Sequence, residues 1–263
     1  MATVKDIYEA LDKFAPCVIK MDFDNVGLLV GSADTEVSRV LLALDITDAV
    51  IGEAIEEGAQ LIVSHHPMFF SLKSVNDMDP AGRKIVRLLS HGISAVCMHT
   101  NLDAAAGGVN DELAKAVGIA ETKLISTEGF TPNDEPYCAG RWGELPTSMP
   151  MSEFLPFLKE RLETNGLRYS DSGKPVKKVA VIGGSGGSEL GKVLELGCDT
   201  FITADVKYDV FLSAAEAGIN IIDGDHFCTE NVVLQKLLEL IANEFKGICV
   251  TISKKHCQTA RFF

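Results

Sequence analysis

Short apolar blocks alternate along this chain with stretches in which apolar residues recur every three or four positions, most of them stopping at a glycine. RVLLALD (39–45) reads as a buried strand, DAVIGEAIEEG (48–58) as a helix closed by Gly58, QLIVS (60–64) as a strand, and AGRKIVRLLSHG (81–92) as a helix closed by Gly92. ISAVCMH (93–99) is then a strand and VNDELAKAVG (109–118) a helix ending at Gly118, while a short helix is expected ahead of them all. Strand-length blocks joined by helical periodicity predict crossover units and a mainly parallel sheet in an α/β fold.

The pattern shifts between about 119 and 150, where FTPNDEPYCAGRWGELPTSMP is rich in Pro, Gly, Asn and Asp, so the first layer is expected to end there. A second unit follows, with the helix MSEFLPFLKERLETNG, the strand VKKVAVIGG, a helix ending near Gly197, the strand TFITA, the helix YDVFLSAAEAG and the strand INIID. A long amphipathic helix (NVVLQKLLELIANEF) and a last strand (GICVTIS) either return to the first sheet or extend the second, and a return is the reading preferred.

Length changes the picture only in allowing either one large α/β domain or two smaller ones, since 263 residues exceed the commonest domain size. No apolar run approaches the roughly 18 residues of a membrane helix, so no membrane span is expected. MATVKDIYEALDKFAP mixes charged and apolar residues without the basic start and apolar block of a secretory signal, which predicts a cytoplasmic protein. Seven scattered cysteines without a CxxC pair argue against a disulfide framework and a thiolate zinc site. A net charge of −13 disfavours non-specific binding to nucleic acid or anionic membrane, whereas an anionic small molecule could still bind where metal ions reverse the field.

Chemistry gathers at three strand ends, the place where open α/β sheets collect ligands. SHHP puts His65 and His66 directly after the strand QLIVS; HTNLDAAAGGVND puts His99 at the end of a strand and Asp103 in the following turn; GDHFCTE puts His226 and Glu230 four residues apart at the start of the long helix, on one helix face. Each taken singly also reads as an ordinary surface, capping or turn residue. Together, three strand ends supplying His and carboxylate donors without Cys form the ligand set of a hydrolytic metal centre. Two histidines, a shared aspartate and a His/Glu pair suffice for two ions. His99 reads as a partner or substrate-reaching group rather than a ligand. Asp45 either joins the cavity or caps the next helix, and Asn25 and Gly27 read as turn formers. The glycine turn at 183–188 in VAVIGGSGGSELGK lacks both the phosphate-loop ending and the third glycine of the dinucleotide fingerprint, where Glu189 stands, so it reads as a plain tight turn, with phosphate contact at the helix start as the alternative. Asp205 and Lys207 in TADVKY either face a cleft or start a helix.

With DNVGLLVG, SHHPMFF, HTNLDAAAGGVND, VAVIGGSGGS and GDHFCTE in this order, nearly the whole chain resembles the GTP cyclohydrolase 1 type 2 family, the NGG-interacting-factor-three-like metalloproteins. The resemblance implies that His65, His66, Asp103, His226 and Glu230 ligate two divalent ions (Zn, Fe or Mn). It also implies two α/β lobes with mainly parallel or mixed sheets, a metal site in the cleft between them, and a homohexamer. On that view residues 1–125 form the first lobe, carrying His65, His66 and Asp103 and completed by 231–263, and residues 126–230 form the second, ending in the His226/Glu230 segment. The chain departs from the pattern at Phe23, where many members have tryptophan, and at Asp209, where histidine is frequent.

Three functions stay open at this point. The first is a metal-dependent hydrolase acting on a nucleotide such as GTP, in which activated water attacks the purine ring carbon and His99 shuttles a proton. The others are a non-catalytic, metal-dependent scaffold or regulatory protein, and a two-metal phosphoesterase using the same ligands.

Overall fold

Thr3 starts the first helix, α1 (Val4–Phe14), by accepting the Asp6 N–H while the Asp6 carboxylate accepts the Thr3 N–H, and Val4, Ile7, Ala10 and Leu11 form its buried stripe. The computed structural model, which describes residues 1–262, continues with β1 (Gly27–Val30), β2 (Arg39–Ala43), α2 (Asp48–Glu57), β3 (Leu61–Ser64), α3 (Pro80–Ser90) and β4 (Ser94–Cys97). A short α4 (Thr100–Ala104) leads to α5 (Val109–Val117) and three two-residue strands, β5 (Lys123–Leu124), β6 (Gly129–Phe130) and β7 (Pro136–Tyr137). Then come β8 (Arg141–Met149), α6 (Met151–Arg161), β9 (Arg168–Ser170), β10 (Val176–Val181), α7 (Leu190–Glu195), β11 (Thr200–Thr203), α8 (Tyr208–Ala217), β12 (Asn220–Asp223), α9 (His226–Asn231), α10 (Val233–Glu244) and β13 (Cys249–Ile252).

The chain divides into two units, one of Met1–Leu102 with Leu234–Cys257, the other of Asp103–Val233 with the residues from Gln258 onward. In the first unit the sheet order is β1-β4-β3-β2-β13, parallel throughout except for antiparallel β1 on β4. All four positions of β3 and of β4 are buried, as strands covered on both faces require. The second unit holds the order β5-β8-β10-β11-β12-β9, with parallel pairing only among β10, β11 and β12. Its core joins Leu113 and Val117 of α5 to Phe154 and Leu158 of α6 and Val179 and Val181 of β10.

Four features differ from the expectation. The first unit ends at Leu102 instead of near 125, because the apolar face of α5 packs into the second core; Asp103 goes with it. The segment 22–31 is more than a turn, for Gly27 begins a strand paired to β4. The Pro- and Gly-rich stretch contains the nine-residue β8, whose register against β10 shifts between Val176↔Met149 and Lys178↔Glu144; Pro146 falls inside that irregularity, where its missing N–H does no harm. Lastly, the single long helix is two, α9 and α10, divided at Val232.

Candidate metal centre

In the first unit the parallel ladder runs on past β3. The His65 N–H donates to Ala43 O (3.3 Å) and the His66 N–H to Leu44 O (2.8 Å), so both histidines leave the sheet as backbone held in register. His65 is fully buried and its Nδ1–H donates to the Met98 carbonyl at 2.8 Å. The His66 Nδ1–H donates to Asp45 Oδ1 at 2.9 Å, and that of His99 to Asp24 Oδ1 at 2.8 Å. An oxygen acceptor fixes the proton on Nδ1 in each ring, which makes Nε2 the basic nitrogen. One ligand atom from each of His65, His66 and His99 lies within 4.8 Å of the other two, and their ring centroids stand 5.0, 5.2 and 5.6 Å apart. His99, expected outside the ligand set, therefore stands in the same imidazole group as His65 and His66.

Asp45 is accounted for by His66, because Thr47 caps α2 by accepting the Val50 N–H. Asp24 is the residue that sequence reading missed. Buried, it accepts from His99, from the Thr100 N–H (3.0 Å) and from the Thr100 hydroxyl (2.5 Å), and so fastens the start of α4. Burial pushes its carboxyl up, but the bonds from His99 and Thr100 outweigh that and hold it below the usual carboxylate range. No periodicity marks an acid whose partners lie 75 and 76 residues further on. Asn25 ties its own loop to the one that follows β3 through Phe69 O at 2.9 Å, and Phe23 near it is exposed.

In the second unit Asp103 lies on α4, and its carbonyl accepts from Asn110 Nδ2 at 3.1 Å. The Oδ1 of the same Asn110 accepts the Gly183 N–H at 2.8 Å, so one buried amide links the Asp103 backbone to the glycine turn. His226 begins α9 and Glu230 follows one turn later, almost fully buried, with Oε1 3.2 Å from His226 Nε2. The Asp205 carboxylate accepts the His226 Nδ1–H at 2.7 Å. Burial lowers the His226 pKa, yet Glu230 and Asp205 outweigh it and push it up to about 9. Gly184 has φ +63°, and a Cβ there would come within 2.3 Å of Glu230 Oε1. The glycine turn is thus a close approach to Glu230. Its Gly183 and Gly184 N–H groups are already taken by Asn110 and Thr229, so they offer nothing to a phosphate. Lys207 and Asp209 belong to the start of α8.

Within each unit the candidate donors are imidazoles or carboxylates, and in His65 and His66 an acceptor holds the ring proton on Nδ1. The buried Cys97 thiol donates instead to His65 O, at 3.0 Å. Such a set fits a borderline or hard divalent cation.

The sequence profile of the Duf34/NIF3 (NGG1p interacting factor 3) family matches residues 2–258. This chain belongs to the Duf34/NIF3 family. A relative in Clostridium perfringens named GTP cyclohydrolase 1 type 2 homolog is 38% identical over 240 residues, covering 90% of each chain. The Duf34/NIF3 fold recurs in the crystal structure of a Staphylococcus aureus hypothetical protein, at TM-score 0.91 and 29% identity, covering 100% of this chain and 99% of that one. Reduced HcgD from Methanocaldococcus jannaschii superposes at TM-score 0.81 with 28% identity over 96% and 98% of the two chains. Among the described residues no helix is long and apolar enough to cross a membrane.

Proposed function

We propose that this Duf34/NIF3 protein is a dinuclear metalloprotein in which His65, His66, Asp103, His226 and Glu230 hold two divalent ions, zinc, iron or manganese, and that it hydrolyses a nucleotide such as GTP. The observation that carries this reading is the treatment of the three ligand imidazoles. The Nδ1 of His65, His66 and His226 each faces an oxygen, Met98 O, Asp45 or Asp205, at 2.7 to 2.9 Å, an arrangement that supports metal ligation through Nε2 and that a solvated histidine has no need of. When bound, the ions would supply Lewis acidity, lowering the pKa of water and neutralising charge on the attacked group. The chain's own contribution to proton transfer is His99, fixed by buried Asp24 with its proton on Nδ1, so that Nε2 takes up a proton from the reacting water. The name carried by the Clostridium perfringens relative supports a nucleotide substrate. Action in the cytoplasm and assembly as a homohexamer are part of the same reading, and the assembly rests on the family resemblance.

Metal-reconstituted protein screened against nucleotides and phosphoesters, with formate and phosphate release as readouts, tests the reaction. Formate from GTP supports ring opening, phosphate alone redirects the reading to phosphoester hydrolysis, and neither product leaves a metal-dependent binding or scaffold role. Elemental analysis tests the centre itself, where close to two ions per chain are expected and an occupancy well below one after reconstitution would sink it.

A further inference from the structure

His226 is surrounded by backbone that L-residues rarely adopt. Among the described residues, four that are not glycine have positive φ: Asp134, Glu163, Asp205 and Asp225. Two of these bear on His226. Asp225 (φ 71°, ψ 137°) directly precedes it and has a local reason for its conformation, because its side chain caps α9 by accepting the Cys228 N–H at 3.3 Å. Asp205 (φ 51°) lies in the turn after β11 and has no such reason. Its side chain is 58% exposed, and the N-cap position of α8 is Lys207, not Asp205. The N–H groups beside it are served by other residues, Ala204 by Gly184 O and Val206 by the Asp223 carboxylate. A glycine would hold this backbone without strain. The contact its carboxylate makes is the one to His226 Nδ1, at 2.7 Å. Strain kept at one position, with its side chain aimed at a candidate ligand, is the pattern expected where positioning is the function.

We propose that Asp205 is a positioning residue for His226. The left-handed turn aims its carboxylate at Nδ1, which keeps the ring proton there, sets the plane of the imidazole and presents Nε2 beside Glu230 Oε1. The proposal rests on reading His226 and Glu230 as ligands, and the experiment separates the two.

Zinc is titrated calorimetrically into the metal-stripped wild type and into Asp205→Gly, Asp205→Asn, Asp134→Gly and Glu230→Gln, and the thermal unfolding of each metal-free protein is recorded. Asp205→Gly relieves the backbone and removes the acceptor, so zinc should bind about 10- to 100-fold more weakly while metal-free stability holds or rises. Asp205→Asn keeps an acceptor oxygen without the charge and should lose less. Asp134→Gly, the same exchange at a left-handed aspartate away from any candidate ligand, should leave affinity unchanged. Wild-type affinity in both Asp205 variants overturns the positioning role, as does a loss of metal-free stability in Asp205→Gly that accounts for its weaker binding. Wild-type affinity in Glu230→Gln overturns the ligand reading itself, and with it the proposal; a weakened Glu230→Gln beside unchanged Asp205 variants overturns the positioning role alone.

Discussion

At the scale of single residues, the five candidate ligands differ in how they are held, and the differences predict how each will fail. Glu230, expected from the sequence to ligate metal, is 3% exposed, whereas an ordinary helix-start carboxylate would be open to solvent. Glu230→Gln retains size and hydrogen bonding but removes the charge that faces His226 Nε2 at 3.2 Å. We expect zinc or manganese affinity to fall by at least tenfold, on the order of the loss seen when a supporting group of a metal site is removed, with the helical circular-dichroism signal unchanged. Titration of metal into the stripped proteins checks this, and equal stoichiometry and affinity in variant and wild type would remove Glu230 from the site. Gly184→Ala should act on the same carboxylate from the other side. A left-handed L-residue costs about 1–2 kcal/mol, and the new Cβ would lie within 2.3 Å of Glu230 Oε1. Lower stability in urea together with weaker metal binding is the expected pair of results; lost stability with intact binding would mean that Glu230 simply moves aside.

Elements are fastened to one another by buried ion pairs and hydrogen bonds that have nothing to do with the donors. Arg141, at the start of β8, is 4% exposed in its side chain and pairs with Asp111 of α5 at 2.9 Å, while also donating to the carbonyls of Ala104 and Ala105 at the end of α4. Arg141→Met leaves a partly buried carboxylate without its cation, a change that typically costs about 3–5 kcal/mol. Burial pushes the Asp111 carboxyl up, but Arg141 outweighs it and holds the group below its ordinary value. Because the folded pKa lies below the unfolded one, this stabilisation is complete above the unfolded value of about 3.9 and fades as pH falls through the folded one. Urea unfolding of wild type and Arg141→Met should therefore differ most near neutral pH, with the gap narrowing as pH falls below the ordinary carboxylate range; a gap independent of pH would mean that the lost carbonyl bonds, and not the charge pair, carry the effect.

For the whole molecule, the consequence of the chain path is that the first unit is discontinuous. Its sheet ends on β13, paired in parallel with β2, and the closing segment is locked by Glu53 of α2, which is buried and accepts from the Ser253 hydroxyl and from the Lys254 N–H at 2.9 Å. A fragment of residues 1–102 would leave β2 as a bare edge and Glu53 without those donors. We expect such a fragment to lack a cooperative unfolding transition, and the full chain carrying Glu53→Leu to lose about 1–3 kcal/mol from the orphaned donors. Cooperative folding of the fragment in calorimetry would show that residues 234–257 are dispensable for the first unit.

The sequence by itself determined the α/β class, most of the strand and helix positions and the residues with ligand chemistry, because periodicity, glycine stops and donor types are properties of neighbouring residues. It could not weigh Asp24, Asp45 or Asp205, since an acid beside a strand end looks alike whether it caps a helix or meets an imidazole 21 or 75 residues away. Strand β8 was hidden because its Gly143 and Pro146 read as breakers, although Gly143 pairs in register with Val179 of β10 and Pro146 falls in a local irregularity. Only the tertiary structure decided that α5 packs into the second core and that β13 adds to β2, as both segments are amphipathic and would satisfy either sheet. Hydrophobic pattern specifies which face of an element is buried; the partner that covers it is chosen by packing and by long-range hydrogen bonds, which no local window contains.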